Sequence, residues 1–348
     1  MYCYKRPAGL VLQAQRTRIV ALRSSLSVTH FLNFNMFSPL VVEWEITVCR
    51  IDLNHHGAYV HGMRVITGLA EIASDYDAIL CDVWGVIHNG RAAFEPACEA
   101  LVQFRAGGGR VILITNAPVP SQQVLDYMKP LNIPAEAFDA CVSSGDATRE
   151  VLRQNADKVL WTLGNDSDWE HDRYLYDGLD LERADTPDKA GLGLLIGMRD
   201  MRADHPEDYR GELAGIAKSG LELVCANPDI QVRIGDKLHW CAGALAQIYE
   251  QEGGQVLYPG KPYSAIYDLA FEKLNEVGLA VDKARVLAIG DSPKTDMRGA
   301  AGQGIDALYV GTGLAKHGAG SARFEDEVRA LLNEYETHAT FAQPGLVW

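Results

Sequence analysis

The chain has 348 residues, 47% of them hydrophobic and 22% charged, with a formal net charge of −14. That length exceeds the usual single domain and can bury a sizeable core, so more than one domain is expected. The acidic balance excludes a general nucleic-acid binder, which needs clustered Lys and Arg against phosphates; a phosphate site in this chain must concentrate its positive potential locally.

Cys3, Cys49, Cys81, Cys98, Cys141, Cys225 and Cys241 are scattered and form no C-x-x-C. Neither a disulfide framework nor a zinc site is expected, and the default compartment is a reducing cytoplasm. No run of about 18 apolar residues occurs, so no spanning helix is expected.

The first 62 residues stand apart. Lys5, Arg6, Arg16, Arg18 and Arg23 precede the first acidic residue, Glu43. An Arg- and Ser-bearing, acid-free leader suits an organellar transit peptide, but a signal-peptide core with a small-residue cleavage site is missing. The first compact periodic pattern opens at Met63, in MRVITGLAEIASDYDAILCDVWG, which favours an upstream stretch read from a misassigned start. On that reading His55, His56 and His61 are incidental rather than metal ligands.

From Ala78 short apolar runs alternate with longer amphipathic stretches, the pattern of a parallel sheet covered by helices. Ala78 to Asp82 (AILCD) reads as a buried strand and Phe94 to Ala106 as a helix closed by Gly107, Gly108 and Gly109. Arg110 to Thr115 (RVILIT) is the next strand, with a helix near Gln122 to Lys129. Val159 to Leu163, Gly191 to Gly197 and Leu221 to Ala226 supply the strands of a second α/β unit inserted into the first. Ala284 to Asp291 (ARVLAIGD) and Ala307 to Gly313 (ALYVGTG) then return to the first sheet. Ala322 to His338 reads as a surface helix whose charge run is a solvated face.

Polar residues capable of chemistry close three of these strands: Asp82, Thr115 and Asp291. In open α/β sheets ligands bind at that edge. Asp82, followed by Val83, Trp84 and Gly85, suits a covalent nucleophile or a metal ligand, although a turn cap is also consistent. Thr115 and Asn116 suit the binding of phosphoryl oxygens at a strand-to-helix turn, or simple helix capping. Lys261, between Gly260 and Pro262, can neutralise a carboxylate and a phosphoryl group together, or be an ordinary surface lysine. Asp291 and Asp296 in GDSPKTD can complete an all-oxygen Mg²⁺ site with Asp82.

The order Asp82, Thr115, Lys261, Asp291 with Asp296 resembles the four sequence motifs of the haloacid dehalogenase (HAD) superfamily. The 146 positions from Thr115 to Lys261 accommodate the cap of its class II A group, which includes NagD-like, pyridoxal phosphate and phosphoglycolate phosphatases. Further matches are GVIHNG (Gly85 to Gly90), SSGDAT (Ser143 to Thr148), ANPD (Ala226 to Asp229) and GALAQIYEQ before GKP. The resemblance covers about Asp77 to Gly313.

It implies an α/β fold, a Rossmann-like HAD core with a parallel sheet plus an inserted α/β cap domain of the class II A type. The expected organisation is a core at 63–141 and 257–321, a cap at 142–256 and a C-terminal helix and tail at 322–348. By the resemblance Asp82 attacks phosphorus and forms an aspartyl-phosphate, while Thr115, Asn116 and Lys261 hold the phosphoryl group. Mg²⁺ is held by Asp82, the main-chain carbonyl of Trp84, Asp291 and Asp296. The implied substrate is a small phosphorylated metabolite, and a homodimer through the cap is common in the group.

Trp84 departs from the family pattern. HAD phosphatases usually carry a second aspartate there, which protonates the leaving alkoxide and later activates water, a contribution of about 10² to 10⁴ in rate. An indole does neither. Ala117 replaces the second Asn common in class II A. Three functions follow: a Mg²⁺-dependent phosphomonoesterase, a phospho-ligand-binding protein with little turnover, or a metal-independent carbon–halogen hydrolase. Asp291 and Asp296 argue against the last. Asn227 and Asp229 are expected to shape a loop, and His88, His239 and Trp240 suit structural as well as functional roles.

Overall fold

The computed structural model describes residues 62–164, 170–234, 237–280, 282–313 and 323–348. The basic leader and His55, His56 and His61 lie outside the described residues. The described residues belong to one unit, Ala58–Trp348.

In chain order the first half contains β1 (Arg64–Val65), β2 (Ala78–Cys81), α1 (Glu95–Ala106), β3 (Arg110–Thr115), α2 (Ser121–Met128), β4 (Ala140–Ser143) and α3 (Ser144–Gln154). The inserted segment supplies β5 (Leu160–Leu163), β6 (Leu192–Leu195), α4 (Arg210–Ser219), β7 (Leu223–Cys225), β8 (Gln231–Ile234), β9 (Lys237–Trp240), α5 (Ala242–Gln251) and β10 (Val256–Leu257). The chain then returns through α6 (Ser264–Glu276), β11 (Val286–Gly290), α7 (Arg298–Gln303), β12 (Asp306–Val310), α8 (Phe324–Glu334) and β13 (Phe341–Gln343).

The core is a seven-stranded sheet in the order β1-β13-β12-β11-β2-β3-β4, and every pairing is parallel. Both faces are covered, and alternate residues of each strand feed opposite layers, as the two-residue period of a strand requires. Ile79, Cys81, Val111, Leu113, Leu287 and Ile289 pack under α1 and α2. Ala78, Leu80, Ile112, Ile114, Val286 and Ala288 pack against α6, α7 and α8. The C-terminal helix turns Phe324, Val328 and Leu332 into this second layer and leaves its charged residues outside. The four core strands read from the sequence are joined by β1, β4 and β13, the last of them supplied by the segment after α8.

The cap carries its own parallel sheet, β10-β7-β6-β5, and a separate antiparallel hairpin of β8 and β9. Trp161, Leu163, Leu195, Leu223 and Cys225 pack on α4 and α5, while Leu160, Leu192, Leu194 and Val224 face the other way. Helix α3 joins the two layers, because Ala147 packs in the core and Leu152 in the cap. Its start is fixed by a capping box in which the Asp146 N–H donates to Ser143 Oγ and the Ser143 N–H to Asp146 Oδ2.

The strand order reverses between β2 and β11. The chain runs outward through β3 and β4, leaves for the cap, and returns on the other side of β2. That is the topological switch point at which open α/β sheets bind ligands, and it sets the carboxyl ends of β2 and β11 side by side. Five cysteines of the described residues (Cys81, Cys98, Cys141, Cys225, Cys241) are free and buried. Among the described residues no helix is long and apolar enough to cross a membrane.

Candidate active site

Asp82 leaves β2 with its backbone still in the ladder, its N–H donating to Ile289 O at 2.8 Å. The loop then folds tightly. Ile87 N donates to Val83 O at 3.0 Å, Gly85 N to His88 O at 2.8 Å, and Thr312 Oγ1 donates to Gly85 O at 2.5 Å. Gly85 sits at φ +86°, and a side chain there, or at Gly313, would run into the carboxylate of Asp291. The two glycines thus form a cradle that brings Asp291 up against the loop after Asp82.

Asp82, Thr115, Asn116, Lys261 and Asp296 are all buried, and Asp291 is partly so. Lys261 Nζ lies 2.5 Å from Asp82 Oδ1 and 2.7 Å from Asp296 Oδ1, and donates to Ile114 O at 3.0 Å. Its three protons are therefore directed at two carboxylates and one carbonyl. Asp296 is fixed on its other oxygen, Oδ2, by the Ser292 N–H at 3.1 Å, within a wide helical turn over Pro293–Met297. Such turns are frequent at functional sites.

The electrostatics follow from burial. Burial raises the Asp82 pKa to about 7, with Lys261 opposing the rise and Asp296 adding to it. Asp291 is pushed well above the carboxylate range by burial and then by Asp82 and Asp296. Burial works against the Lys261 charge, but Asp296 and Asp82 outweigh it and hold the ammonium protonated.

Asp82, Asp291 and Asp296 present carboxylate oxygens within 4.8 Å of one another. Three carboxylates share one ammonium, so the ionised cluster carries excess negative charge in a buried place, and its donors are all oxygen. That donor set and charge fit a hard divalent cation such as Mg²⁺.

Thr115 closes β3 with its Oγ1 accepting from Ala117 N at 3.3 Å. The Asn116 side chain is engaged with protein. Lys261 N donates to Asn116 Oδ1 at 2.7 Å, and Asn116 Nδ2 donates to Lys261 O at 3.1 Å and to Asp229 Oδ1 at 3.0 Å. Asn116 therefore pins the main chain of the Lys261 loop and ties it to the cap.

Trp84 also faces the cap, its Nε1 donating to Arg233 O at 2.8 Å. His88 Nδ1 accepts from Gly90 N at 3.0 Å, which makes His88 a brace of the loop after Asp82. Asn227 Oδ1 accepts from Asp229 N at 3.0 Å, the loop-shaping contact expected of it. Trp240 packs edge-on against His205, with ring centroids 5.1 Å apart. Sequence reasoning missed the contacts of Ser292, Thr312, Tyr267 and Arg233. Tyr267 is fully buried on α6, its hydroxyl lying directly against Gly299, and burial pushes its phenol far up so that it stays neutral. A threonine in GTG and a serine in GDS lay next to motif residues, but no spacing rule marks them.

The family model described as haloacid dehalogenase-like hydrolase matches residues 79–173, and a second, HAD-hydrolase-like, matches residues 258–334. The chain is similar to a solved hydrolase of the haloacid dehalogenase-like family from Brucella suis 1330, at 38% identity and a TM-score of 0.72, over 81% of this chain and 100% of that one. A possible sugar phosphatase of the HAD superfamily from Cytophaga hutchinsonii shares the fold at 19% identity and a TM-score of 0.67, over 82% of this chain and 99% of that one. The 5′-nucleotidase YutF of Bacillus subtilis strain 168 is 25% identical over 246 residues, 69% of this chain and 89% of its own. With its motif residues gathered at the switch point and a 38% identical relative matched over that relative's whole length, the chain belongs to the haloacid dehalogenase-like hydrolase family.

Proposed function

We propose that this hydrolase cleaves small phosphomonoesters with Asp82 as nucleophile. One observation carries the reading: the Lys261 ammonium is buried between Asp82 and Asp296, with Asp291 completing the carboxylate group. That arrangement keeps a carboxylate and an incoming phosphoryl group from repelling each other, and phosphoryl transfer needs positioning and charge neutralisation above all. The name of the Bacillus subtilis relative, a 5′-nucleotidase, agrees with a phosphomonoester substrate.

In the proposed reaction an Asp82 carboxylate oxygen attacks phosphorus opposite the leaving oxygen. The new O–P bond forms as the ester P–O bond breaks, and the leaving alkoxide takes its proton from water. Water then attacks the same phosphorus, the Asp82 O–P bond breaks to regenerate the carboxylate, and inorganic phosphate leaves with the water proton passing to solvent. Lys261 orients Asp82 through Oδ1 and carries the positive charge at the site. Asn116 keeps Lys261 in place through its main chain, and Thr115 with the Asn116 N–H offers donors to the phosphoryl oxygens. Asp82, the Trp84 carbonyl, Asp291 and Asp296 would hold Mg²⁺, which when bound supplies charge neutralisation to the phosphoryl oxygens. The inserted segment 142–256 acts as the cap that selects the leaving group.

Trp84 favours a second reading, a phospho-ligand-binding protein with little turnover, because its indole N–H is used on Arg233 O and no aspartate stands in its place. An assay with p-nitrophenyl phosphate and a panel of phosphometabolites, with and without Mg²⁺ and alongside Asp82→Asn, separates the two. Mg²⁺-dependent release of phosphate, lost in Asp82→Asn, is expected. Activity surviving that substitution overturns the mechanism, and binding of a phosphate mimic without turnover selects the second reading. Halide release from a 2-haloacid without metal would select a dehalogenase instead.

A further inference from the structure

We infer that Trp84 is a positioning residue that latches the cap hairpin onto the active-site loop, a role that rests on the phosphatase reading only for its kinetic consequence. The hairpin of β8 and β9 forms its own two-stranded sheet, separate from the four-stranded cap sheet. Isolated two-stranded hairpins are marginal in water, so this one depends on contacts outside itself for its position. The Trp84 indole N–H, donating to the Arg233 carbonyl on β8 at 2.8 Å, is such a contact and crosses 149 positions of sequence.

The indole is held so that this bond is aimed in advance. His88 meets the ring edge-on, with centroids 5.0 Å apart and planes at 73°. Tyr127 of α2 stacks alongside at 6.4 Å and 22°, and its hydroxyl donates to Gly90 O at 3.1 Å. Gly90, at φ +82°, lies directly against the six-membered ring of Trp84, where any side chain would overlap it. The Gly90 N–H in turn donates to His88 Nδ1. The segment GVIHNG therefore forms the seat of the ring, which accounts for the His and the Gly in it without giving either a chemical role.

The latch sits two residues from Asp82. Moving the hairpin away from the core breaks the Trp84 bond, and seating it pulls on the loop that carries the nucleophile. Trp84 thereby couples cap closure to the geometry of Asp82, at the position where proton transfer is usually performed. A neutral hydrogen bond of this kind shifts an equilibrium by about two- to tenfold.

The test is Trp84→Phe, which keeps an aromatic ring in the seat and removes the N–H. Hydrogen exchange of the β8 and β9 backbone amides is measured beside that of β2 and β11. The expected result is exchange about two- to tenfold faster in the hairpin with the core strands unchanged, and, on p-nitrophenyl phosphate, a rise in KM of similar size with a smaller change in kcat. Gly90→Ala, which displaces the ring while leaving the indole N–H present, should loosen the hairpin likewise. Unchanged hairpin exchange in Trp84→Phe overturns the latch, as does exchange that rises equally in hairpin and core. A fall in kcat alone, with KM and exchange unaltered, assigns Trp84 to the chemistry and also overturns it. A wild-type protein that turns over no phosphomonoester overturns the phosphatase reading, while the exchange comparison still decides the latch.

Discussion

Lys261→Met removes the ammonium and leaves most of the side-chain volume in place. In the wild-type protein Nζ lies 2.5 Å from Asp82 Oδ1, 2.7 Å from Asp296 Oδ1 and 3.0 Å from Ile114 O, all in a buried setting. Two losses compound. A fixed cation beside developing charge contributes about 10² to 10³ in turnover. Asp82 also loses the cation that opposes its burial, so its pKa rises above the wild-type value, and each unit of rise removes up to about a factor of ten of the ionised nucleophile at a pH below that pKa. Together they lower kcat/KM at pH 7 by at least about 10³. Stability falls by less than the roughly 3–5 kcal/mol typical of a broken buried ion pair, because the abandoned carboxyls can take up protons. Rates on p-nitrophenyl phosphate with Mg²⁺ between pH 6 and about 9, with thermal melts at each pH, measure both effects. Part of the lost rate should return at the alkaline end as Asp82 ionises. A variant within about tenfold of wild type at pH 7, or one whose acid limb superimposes on the wild-type limb, would refute the reasoning.

Asp82→Asn keeps the size of the side chain but is a poor nucleophile, and should reduce turnover below about 10⁻³ of wild type while preserving the melting temperature; single-turnover phosphate release measures it. Asp291→Asn should raise the Mg²⁺ concentration needed for half-maximal rate by at least about tenfold, read by metal titration, since it removes one of three carboxylates. The pH dependence of stability has a definite sign. Asp82 titrates near 7 in the folded chain against an ordinary value of 3.8, so the stability it contributes is complete below the lower value and is lost as pH rises through about 7. Buried His88, lowered to about 4, acts in the opposite sense over part of the same window. Without divalent cation the melting temperature should therefore fall relative to that of Asp82→Asn between about pH 5 and about pH 7.5, and Mg²⁺ should restore it most at the alkaline end. A metal-free difference between wild type and Asp82→Asn that stays constant across that window would show Asp82 to be ionised throughout.

The strands lining the site were legible because each is an unbroken apolar run with a polar residue at its carboxyl end: Asp82 after AILC, Thr115 ending RVILIT, Asp291 after VLAIG. A fully covered parallel sheet needs such runs, and the switch-point rule supplies the meaning of the polar ends. The sheet edges were not legible. β1 has two residues and β13 three, too few to show a period, and β13 follows a charged helix that reads as a tail. The role of the Asn116 side chain was also hidden. Its residue type suits phosphate binding, but the amide instead meets the Lys261 main chain across 145 positions and Asp229 across 113. Contacts between loops of different layers leave no local periodicity, so neither this bridge nor the bond from Trp84 to Arg233 could be read along the chain.

The charged centre and the departure at Trp84 are connected through those hidden bridges. Both the charged centre and the tryptophan are tied to the cap, one through Asn116 and Asp229, the other through Arg233. The parts that manage charge are retained: Lys261 is clamped between Asp82 and Asp296, and Asp291 is seated in its glycine cradle. What the chain lacks at position 84 is a proton donor, and a donor matters in proportion to how badly the leaving oxygen needs a proton. A leaving group that departs as a stable anion draws little on such assistance, whereas an alkoxide draws on it fully. On the proposed reading, esters of acidic alcohols are therefore expected to be hydrolysed faster than alkyl esters, which relative kcat values on p-nitrophenyl phosphate and an alkyl phosphate measure. The side chain at that position serves instead, through its indole N–H, to hold the cap hairpin.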